Sequence, residues 1–182
     1  MAELSNFSLR PGARAPDFEL PGVDGRTYRL RDFGDRQRLV VTFWCNHCPY
    51  VQAWEERMIQ LGSEFQPKGV GFVLINSNDD VAFPTDSFDH MVERARDHSY
   101  PFPYVRDESQ RTARDYGALV TPHAFVFDRD RKLLFQGRID DNHDHPERVK
   151  EQYLREAIVA TLADVPMPRP EVAVRGCSIK WR

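Results

Sequence analysis

In VVTFWCNHCPYVQAWEERM, residues 40–58, an apolar run leads into two cysteines and a proline. The run belongs to a short, β-branched segment, 38–44, which is typical of a buried strand. After Pro49, apolar residues recur in steps of three and four, which predicts a helix over 49–66. Residues 69–76 are a second buried-strand pattern. Cys45 and Cys48 therefore lie where a strand turns into a helix.

Pro49 indicates how the two cysteines differ. Proline is favoured at the first helical position, and it moves the preceding residue out of the α region. Cys48 is thus predicted to be the N-cap, with its sulfur facing free backbone N–H groups and the positive end of the helix dipole. That placement favours the thiolate and lowers the pKa. His47, when protonated, would stabilise the same thiolate, and a solvated turn histidine is the alternative.

The rest of the chain alternates between strand and helix patterns. The predicted elements are a hairpin over 15–30, helices over 86–98 and 146–163, a short helix capped by Ser109, and an antiparallel strand pair over 123–128 and 132–139. Such an order predicts an α/β fold with a mixed central sheet and helices on both faces. Ligands of such sheets bind at the carboxyl ends of parallel strands, where the Cys45–Cys48 turn is expected.

Composition narrows the class of protein. The chain has 182 residues, 41% of them hydrophobic and 29% charged, which suits one globular domain over 1–182. A net charge of -3 without a Lys/Arg-rich block predicts no nucleic-acid partner. The apolar runs are too short to span a membrane. The N-terminus lacks the apolar core of a signal peptide, so a cytoplasmic location is expected.

The cysteine count favours a catalytic or metal-binding role for the cysteines over a structural disulfide framework. The chain contains three cysteines, Cys45, Cys48 and Cys177. A secreted disulfide framework usually has more cysteines and an even number of them. In a reducing compartment, a close pair is typical of catalysis or metal binding. A structural zinc site needs four ligands, and beside the turn only the distant His143 and His145 pair is available, so no metal and no cofactor is predicted.

Several motifs together resemble a known superfamily. A strand ending in Phe-Trp, a cysteine capping a long helix and a later Thr-Pro before a strand resemble the thioredoxin superfamily. More narrowly, CNHCPYV, YGALVTPHAFVFD and GCSIKW resemble the peroxiredoxin-like, or redoxin, proteins of the alkyl-hydroperoxide-reductase/thiol-specific-antioxidant group, over almost the entire chain. The resemblance implies a thioredoxin-like fold. It also implies a cis bond at Thr121–Pro122 beside the reactive sulfur, with a backbone edge that holds a partner.

Two registers of this resemblance are open. If the two Cys-X-X-Cys motifs are matched, Cys45 is the nucleophile and Cys48 resolves. If the Phe-Trp strand end and the helix stripe are matched, Cys48 is the nucleophile and Val51 stands at the resolving position. We favour the second register, because a long apolar stripe and a proline at its start are harder to displace than a loop. Cys45, Cys177 or an external thiol would then resolve the mixed disulfide.

The C-terminal tail, 165–182, is Pro-rich and then partly apolar. Its terminal Ile and Trp predict that it docks on the domain rather than frays. We expect it to bring Cys177 near the turn as a candidate resolving thiol, and a small buried apolar residue is the alternative. His123 is expected either to line the same groove or to lie on the surface. Arg138 could hold an anion or stabilise a thiolate.

The sequence therefore predicts a thiol–disulfide oxidoreductase that acts on protein or small-molecule disulfides and thiols, with a homodimer possible. The predicted site residues are Cys48, Cys45, His47, Thr121, Pro122 and Cys177. An antioxidant peroxidase is the first alternative, but the peroxiredoxin pattern Pro-X-X-X-Thr/Ser-X-X-Cys has Arg38 in place of its proline before Thr42 and Cys45. A non-enzymatic redox sensor or binding module is the second alternative.

Overall fold

The structure is a computed structural model that describes residues 3–182. The strands are β1 (Glu19–Pro21), β2 (Thr27–Arg29), β3 (Arg38–Trp44), β4 (Val70–Asn76), β5 (Tyr104–Arg106), β6 (Val120–Thr121), β7 (His123–Phe127), β8 (Leu133–Gly137) and β9 (Cys177–Ser178). The α-helices are α1 (Pro49–Phe65), α2 (Phe88–Asp97), α3 (Arg111–Tyr116) and α4 (Tyr153–Leu162).

Five of these strands form the central mixed sheet, in the order β5–β4–β3–β7–β8. β3, β4 and β5 run parallel, whereas β7 is antiparallel to both β3 and β8. The predicted terminal strand pair is therefore confirmed, and so is the N-terminal hairpin, which β1 and β2 form. The carboxyl ends of β3 and β4 meet at one edge, and the Cys45–Cys48 turn follows β3 there.

Alternating residues of the strands supply two hydrophobic layers. Val40, Leu74 and Val126 face the layer that α1, α2 and α4 cover. Val41, Ile75 and Phe125 face the layer that α3 and the hairpin cover. The apolar stripe predicted for α1 is buried as expected, and its members are Val51, Trp54, Met58, Leu61 and Phe65. Burial of each such side chain contributes roughly 1.5–3 kcal/mol, so packing fixes α1 and the turn before it.

The last helix is shorter than predicted. The sequence pattern placed its start at Pro146, but 146–148 is a single 3-10 turn and α4 begins at Tyr153. The reason is tertiary: the Asp141 carboxylate accepts from the Lys150 backbone N–H at 3.0 Å, and the Asp141 N–H donates to the Glu151 carbonyl at 3.1 Å. These bonds hold the intervening residues out of the helix.

Two helix starts also differ from the prediction. The N-cap of α3 is Gln110, in the left-handed region at φ 61°, rather than Ser109. Ser109 still supports the start, because its hydroxyl accepts from the Arg111 N–H at 3.2 Å. α2 begins at Phe88, two residues later than predicted, with Ser87 as its cap.

The C-terminal segment lies across the site end of the sheet. Val174 makes a backbone bridge to Leu4, and β9 pairs antiparallel with β6, so that Cys177 stands opposite Thr121. Ile179 is buried in the layer that α3 covers. Across 3–182, we find no helix with the length and apolar character needed to cross a bilayer.

Candidate active site: three thiols around Thr121

Cys48 occupies the position that the Pro49 argument predicts. It is the N-cap of α1, with extended backbone angles (φ -71°, ψ 122°) and Pro49 as the first helical residue. The free backbone N–H groups predicted to face its sulfur do not lie in solvent, because Cys48 is 0% exposed. Its Sγ lies 3.2 Å from the Thr121 carbonyl oxygen, so the segment before Pro122 covers it.

Thr121 is the residue that the three cysteines share. Its hydroxyl lies 3.1 Å from the Cys45 Sγ, its carbonyl faces Cys48, and its Cα pairs with that of Cys177. The Thr121–Pro122 peptide bond is cis. The structure therefore brings together five of the six residues selected from the sequence, from three segments that are far apart in the chain.

The donors around Cys48 favour its charged form. The Cys45 thiol hydrogen-bonds to the Cys48 sulfur and lowers its pKa, burial opposes this, and the Cys177 thiol lowers the pKa again. The backbone N–H groups of Val51 and Cys177 act in the same direction. The Thr121 carbonyl opposes them, because a carbonyl oxygen accepts from a thiol and repels a thiolate. The donors dominate, and the pKa of Cys48 falls to about 5.

The other two thiols are held protonated. Burial raises the pKa of Cys45, and its hydrogen bond to Cys48 and the negative charge of Asp86 raise it further. Burial also raises the pKa of Cys177, to about 12, together with the hydrogen bond to Cys48 and its charge. One sulfur is thus poised as a thiolate, while the thiols of its two neighbours donate hydrogen bonds to it. The favoured register of the resemblance assigns the nucleophile to Cys48, and that assignment stays a prediction.

His47 is held by a residue that the sequence did not reveal. Its Nδ1 lies 2.5 Å from the Asp86 carboxylate, and its ring stacks on Phe83 with a centroid distance of 5.2 Å and an interplanar angle of 8°. The Lys180 ammonium group of the tail lies over the same Phe83 ring, 5.3 Å from its centroid. His47 is therefore fixed against its loop rather than free in solvent.

Asp86 fixes the turn between the cysteines. It is fully buried, and one carboxylate oxygen accepts from the backbone N–H of Asn46 at 2.6 Å and from that of His47 at 3.3 Å. The other oxygen accepts from the Asn78 side-chain amide at 2.7 Å as well as facing His47. The sequence predicted Asp86 only as a helix start, because nothing local marks contacts made across 39 and 40 residues.

Asp86 also bears on the question of a metal. Donor atoms of Cys45, His47 and Asp86 lie within 4.8 Å of one another. Each Asp86 oxygen, however, already faces two hydrogen-bond donors of the chain. We therefore describe this group as a hydrogen-bonded cluster. His143 and His145 belong elsewhere: the first packs against Tyr50 at 4.4 Å, and the second pairs with Glu147.

Two further sequence hypotheses need correction. His123 neither lines a groove nor lies on the surface: it is 0% exposed between Phe7 and Phe125, and burial lowers its pKa to about 3. Among the described residues Arg138 faces no sulfur, since its guanidinium pairs with Glu3 and lies 5.4 Å from the centre of the Tyr153 ring.

The sheet order, the thiol at the N-cap of α1 and the cis-proline beside it define a thioredoxin-fold oxidoreductase of the thiol–disulfide type. The model of the AhpC/TSA family matches residues 11–136. That range is more than half of the chain, and the protein belongs to this family.

Curated relatives and solved structures agree with this class. Thiol-disulfide oxidoreductase ResA of Geobacillus thermodenitrificans is 27% identical over 143 residues, which cover 76% of this chain and 78% of the relative. An uncharacterized conserved protein from Geobacillus kaustophilus superposes with a TM-score of 0.93 at 38% identity, covering 100% of this chain and 97% of the other. A putative thiol:disulfide interchange protein DsbE from Chlorobium tepidum has a TM-score of 0.62 at 28% identity, over 71% and 85% of the two chains.

Proposed function

We propose that Cys48 is the attacking thiolate of this thiol–disulfide oxidoreductase. The observation that carries the proposal is the set of donors around its sulfur, which lowers its pKa to about 5 while Cys45 and Cys177 stay protonated. The Cys48 thiolate attacks one sulfur of a partner disulfide. A mixed disulfide with Cys48 forms, the partner's sulfur–sulfur bond breaks, and the second partner sulfur leaves as a thiolate.

Resolution needs a second thiol. It attacks the Cys48 sulfur of the mixed disulfide, its proton goes to the departing partner thiolate, and a new disulfide to Cys48 remains. Net, one partner disulfide is reduced and two thiols are oxidised, and the reverse sequence oxidises a dithiol partner. Cys45 and Cys177 both contact Cys48, so either is placed for this step, and an external thiol is the third route. The partners are protein or small-molecule thiols and disulfides.

The peroxidase alternative has less support. Thr42, which would orient a peroxide, is 0% exposed inside β3, where it pairs with Leu74 and Ala124. Arg38, at the position of the shielding proline, points to the far end of the sheet and binds Thr161 and Asp164. The redox-sensor alternative requires thiols of ordinary pKa, which the surroundings of Cys48 do not favour.

The test is a single-turnover reaction of the reduced protein with oxidised glutathione. We expect a glutathione adduct or a protein disulfide that includes Cys48, detected by mass spectrometry after acid quenching. Cys48→Ser should lose this reaction by a factor of at least about 10³, because a hydroxyl does not replace the thiolate nucleophile. Cys45→Ser is the matched control, since it keeps a donor toward Cys48 and should retain the first step. First-step reaction that survives in Cys48→Ser and disappears in Cys45→Ser would assign the nucleophile to Cys45.

A cytoplasmic location and a homodimer stay predictions. Sedimentation of the purified chain tests the second, and fractionation of the producing cells tests the first.

A further inference from the structure

The strand edge formed by Val120 and Thr121 is already paired within the protein. A free strand edge is a template on which an extended chain can pair through its backbone. Here β9 is the extended chain that pairs with this edge, with Val120 opposite Ser178 and Thr121 opposite Cys177. The third thiol is therefore delivered to Cys48 as part of an extended strand, in the way that a cysteine of a bound partner strand would be.

Gly176 shows how closely this strand approaches. A Cβ atom at this position would lie 2.2 Å from the Thr121 carbonyl oxygen and 2.8 Å from its carbon. Both are backbone atoms, which cannot turn away as a flexible side chain can. Only glycine therefore allows Cys177 to reach its place against Cys48.

The contacts beyond Cys177 fall into two kinds. Ile179 is 3% exposed and anchors the segment in the core. The last residues are held by polar contacts instead: the Lys180 N–H donates to the Asn78 side chain at 2.9 Å, and Arg182 pairs with Asp79 and Asp80. Arg182 is 40% exposed, and solvent-exposed ion pairs of this kind contribute little. The Lys180 carbonyl also accepts from the Asp79 N–H and from the Gln110 side-chain amide, each at 2.8 Å. Release of the segment therefore has to break these hydrogen bonds and expose Ile179, and water can replace the hydrogen bonds once the segment leaves.

Burial of Cys48 makes that release necessary. Cys48 is 0% exposed while β9 is in place, and Thr121, which would pair with an incoming strand, is already paired. A protein partner that approaches as an extended strand can reach neither the sulfur nor the edge until β9 leaves.

We propose that residues 176–182 are a displaceable strand that occupies the docking edge for an extended, cysteine-bearing segment of a partner protein, and that Cys177 is the resolving thiol of Cys48. This inference rests on the proposed role of Cys48. The partner strand, whose cysteine is in a disulfide, displaces β9. The Cys48 thiolate attacks that cysteine's sulfur, the partner's sulfur–sulfur bond breaks, and its second sulfur leaves as a thiolate, so that a mixed disulfide with Cys48 remains. When β9 returns, the Cys177 sulfur attacks Cys48, its proton passes to the partner thiolate, and the Cys48–Cys177 disulfide closes the edge.

Cys177 is better placed for this step than Cys45. Cys45 is 0% exposed and next to the Asp86 carboxylate, whereas Cys177 is half-buried and Lys180 favours its thiolate. The hydrogen bond to the Cys48 thiolate and its charge, which both raise the pKa of Cys177, disappear once Cys48 is in a mixed disulfide.

The first experiment maps the disulfide in the full-length protein after one equivalent of a disulfide-linked extended peptide. We expect a Cys48–Cys177 bond in the wild type and a long-lived peptide–Cys48 adduct in Cys177→Ala. Cys45→Ser should still resolve the adduct through Cys177, and loss of resolution in that variant would overturn the inference. A Cys48–Cys45 bond in the wild type, with Cys177 left free, would overturn the inference and leave the proposed nucleophile intact. Absence of any adduct at Cys48 would overturn the proposed function itself.

The second experiment opens the edge without changing a sulfur. Gly176→Ala should raise the rate of adduct formation with the extended peptide by about tenfold, because a larger share of molecules has β9 displaced. Ser178→Ala is the matched control, since this side chain is exposed and its loss leaves the backbone pairing unchanged. Thermal unfolding and circular dichroism verify that both variants remain folded.

A third measurement keeps the inference testable if Gly176→Ala fails to fold. Hydrogen exchange of Cys177→Ala that carries the trapped peptide should show loss of amide protection over 176–182, compared with the same variant without peptide. Protection that stays unchanged with the peptide attached, or equal adduct rates for Gly176→Ala and Ser178→Ala, would mean that the strand is not displaced.

Discussion

Two titratable groups on either side of Pro122 have lowered pKa values for opposite reasons. Cys48, which faces Thr121, has a pKa of about 5 because neighbouring donors stabilise its charged form. His123, the residue after Pro122, has a pKa of about 3 because burial penalises its charged form. Both side chains are 0% exposed. Burial alone therefore does not decide whether a group is charged; the partners of the buried atom do.

The partners of the two groups differ in kind. The Cys48 sulfur receives hydrogen bonds from two thiols and lies at a helix N-terminus. His123 lies between aromatic rings, its Nδ1 accepts from the Leu119 N–H at 3.4 Å, and its Nε2 has no hydrogen-bond partner within the described part of the chain. A charge on Cys48 is thus compensated, and a charge on His123 is not.

The largest expected effect is on the alkylation of Cys48 as a function of pH. A pKa of about 5 means that Cys48 is almost entirely thiolate at pH 7, a thiolate fraction roughly thirtyfold larger than that of an ordinary cysteine. We expect its rate with iodoacetamide, measured cysteine by cysteine, to rise through pH ~5 and then to level off. Cys45 and Cys177 should stay unreactive over that range, since the pKa of each is raised.

Two substitutions of Cys45 test whether its hydrogen bond lowers the pKa of Cys48. Cys45→Ala removes the largest cause of the low pKa, so the midpoint for Cys48 should move to higher pH, while Cys45→Ser, which keeps a hydroxyl donor, should move it much less. Equal midpoints in the two variants would contradict the role of the Cys45 donor.

The next effect is on stability in acid, through His123. Its folded pKa of about 3 lies below the unfolded value of about 6.5, so the unfolded chain binds a proton first as the pH falls. Stability should therefore be lost between pH ~6.5 and pH ~3, by about 1.4 kcal/mol per pH unit from this group. His123→Phe keeps a flat ring and should remove that part of the slope of the unfolding free energy against pH. Urea unfolding at a series of pH values measures this slope. An unchanged slope would show that His123 is not the group responsible, and the exposed His145→Gln serves as the control.

A smaller effect is expected for Asp86→Asn. The amide leaves buried donors of Asn46, His47 and Asn78 with fewer acceptors, which should lower the free energy of unfolding by about 1–3 kcal/mol. It also removes a negative charge that raises the pKa of Cys45, so Cys45 should titrate at lower pH than in the wild type.

The readout for Asp86→Asn is the thiolate absorbance as a function of pH, combined with chemical unfolding. Asn78→Ala is the control, because it removes one partner of Asp86 and keeps the carboxylate. A loss of stability with no change in the Cys45 titration would limit Asp86 to a structural role.

Local sequence patterns predicted the strands and helices whose apolar residues form the core. The β-branched run 38–44 and the stripe after Pro49 became β3 and α1 with nearly the predicted bounds. Patterns failed where distant residues compete with local preference. The residues after Pro146 read as a helix, yet Asp141 holds their backbone away from it.

The same division applies to the candidate site. Cys48, Cys45 and His47 are adjacent in the chain, so a local motif was enough to select them. The resemblance supplied Thr121 and Pro122, and the apolar residues near the terminus predicted that the tail with Cys177 docks. Asp86 was missed, because its contacts with the turn have no signature in the residues around it.

Local constraints are enough to place a cysteine at the cap of a long amphipathic helix after a buried strand, since proline placement and apolar periodicity act within one stretch of the chain. Which sulfur is charged, and which sulfurs are covered, follows from tertiary contacts instead. Those properties depend on hydrogen-bond donors, on a carboxylate and on a strand edge that come from distant parts of the chain, and their electrostatic effects act only at short range once the fold has brought them together.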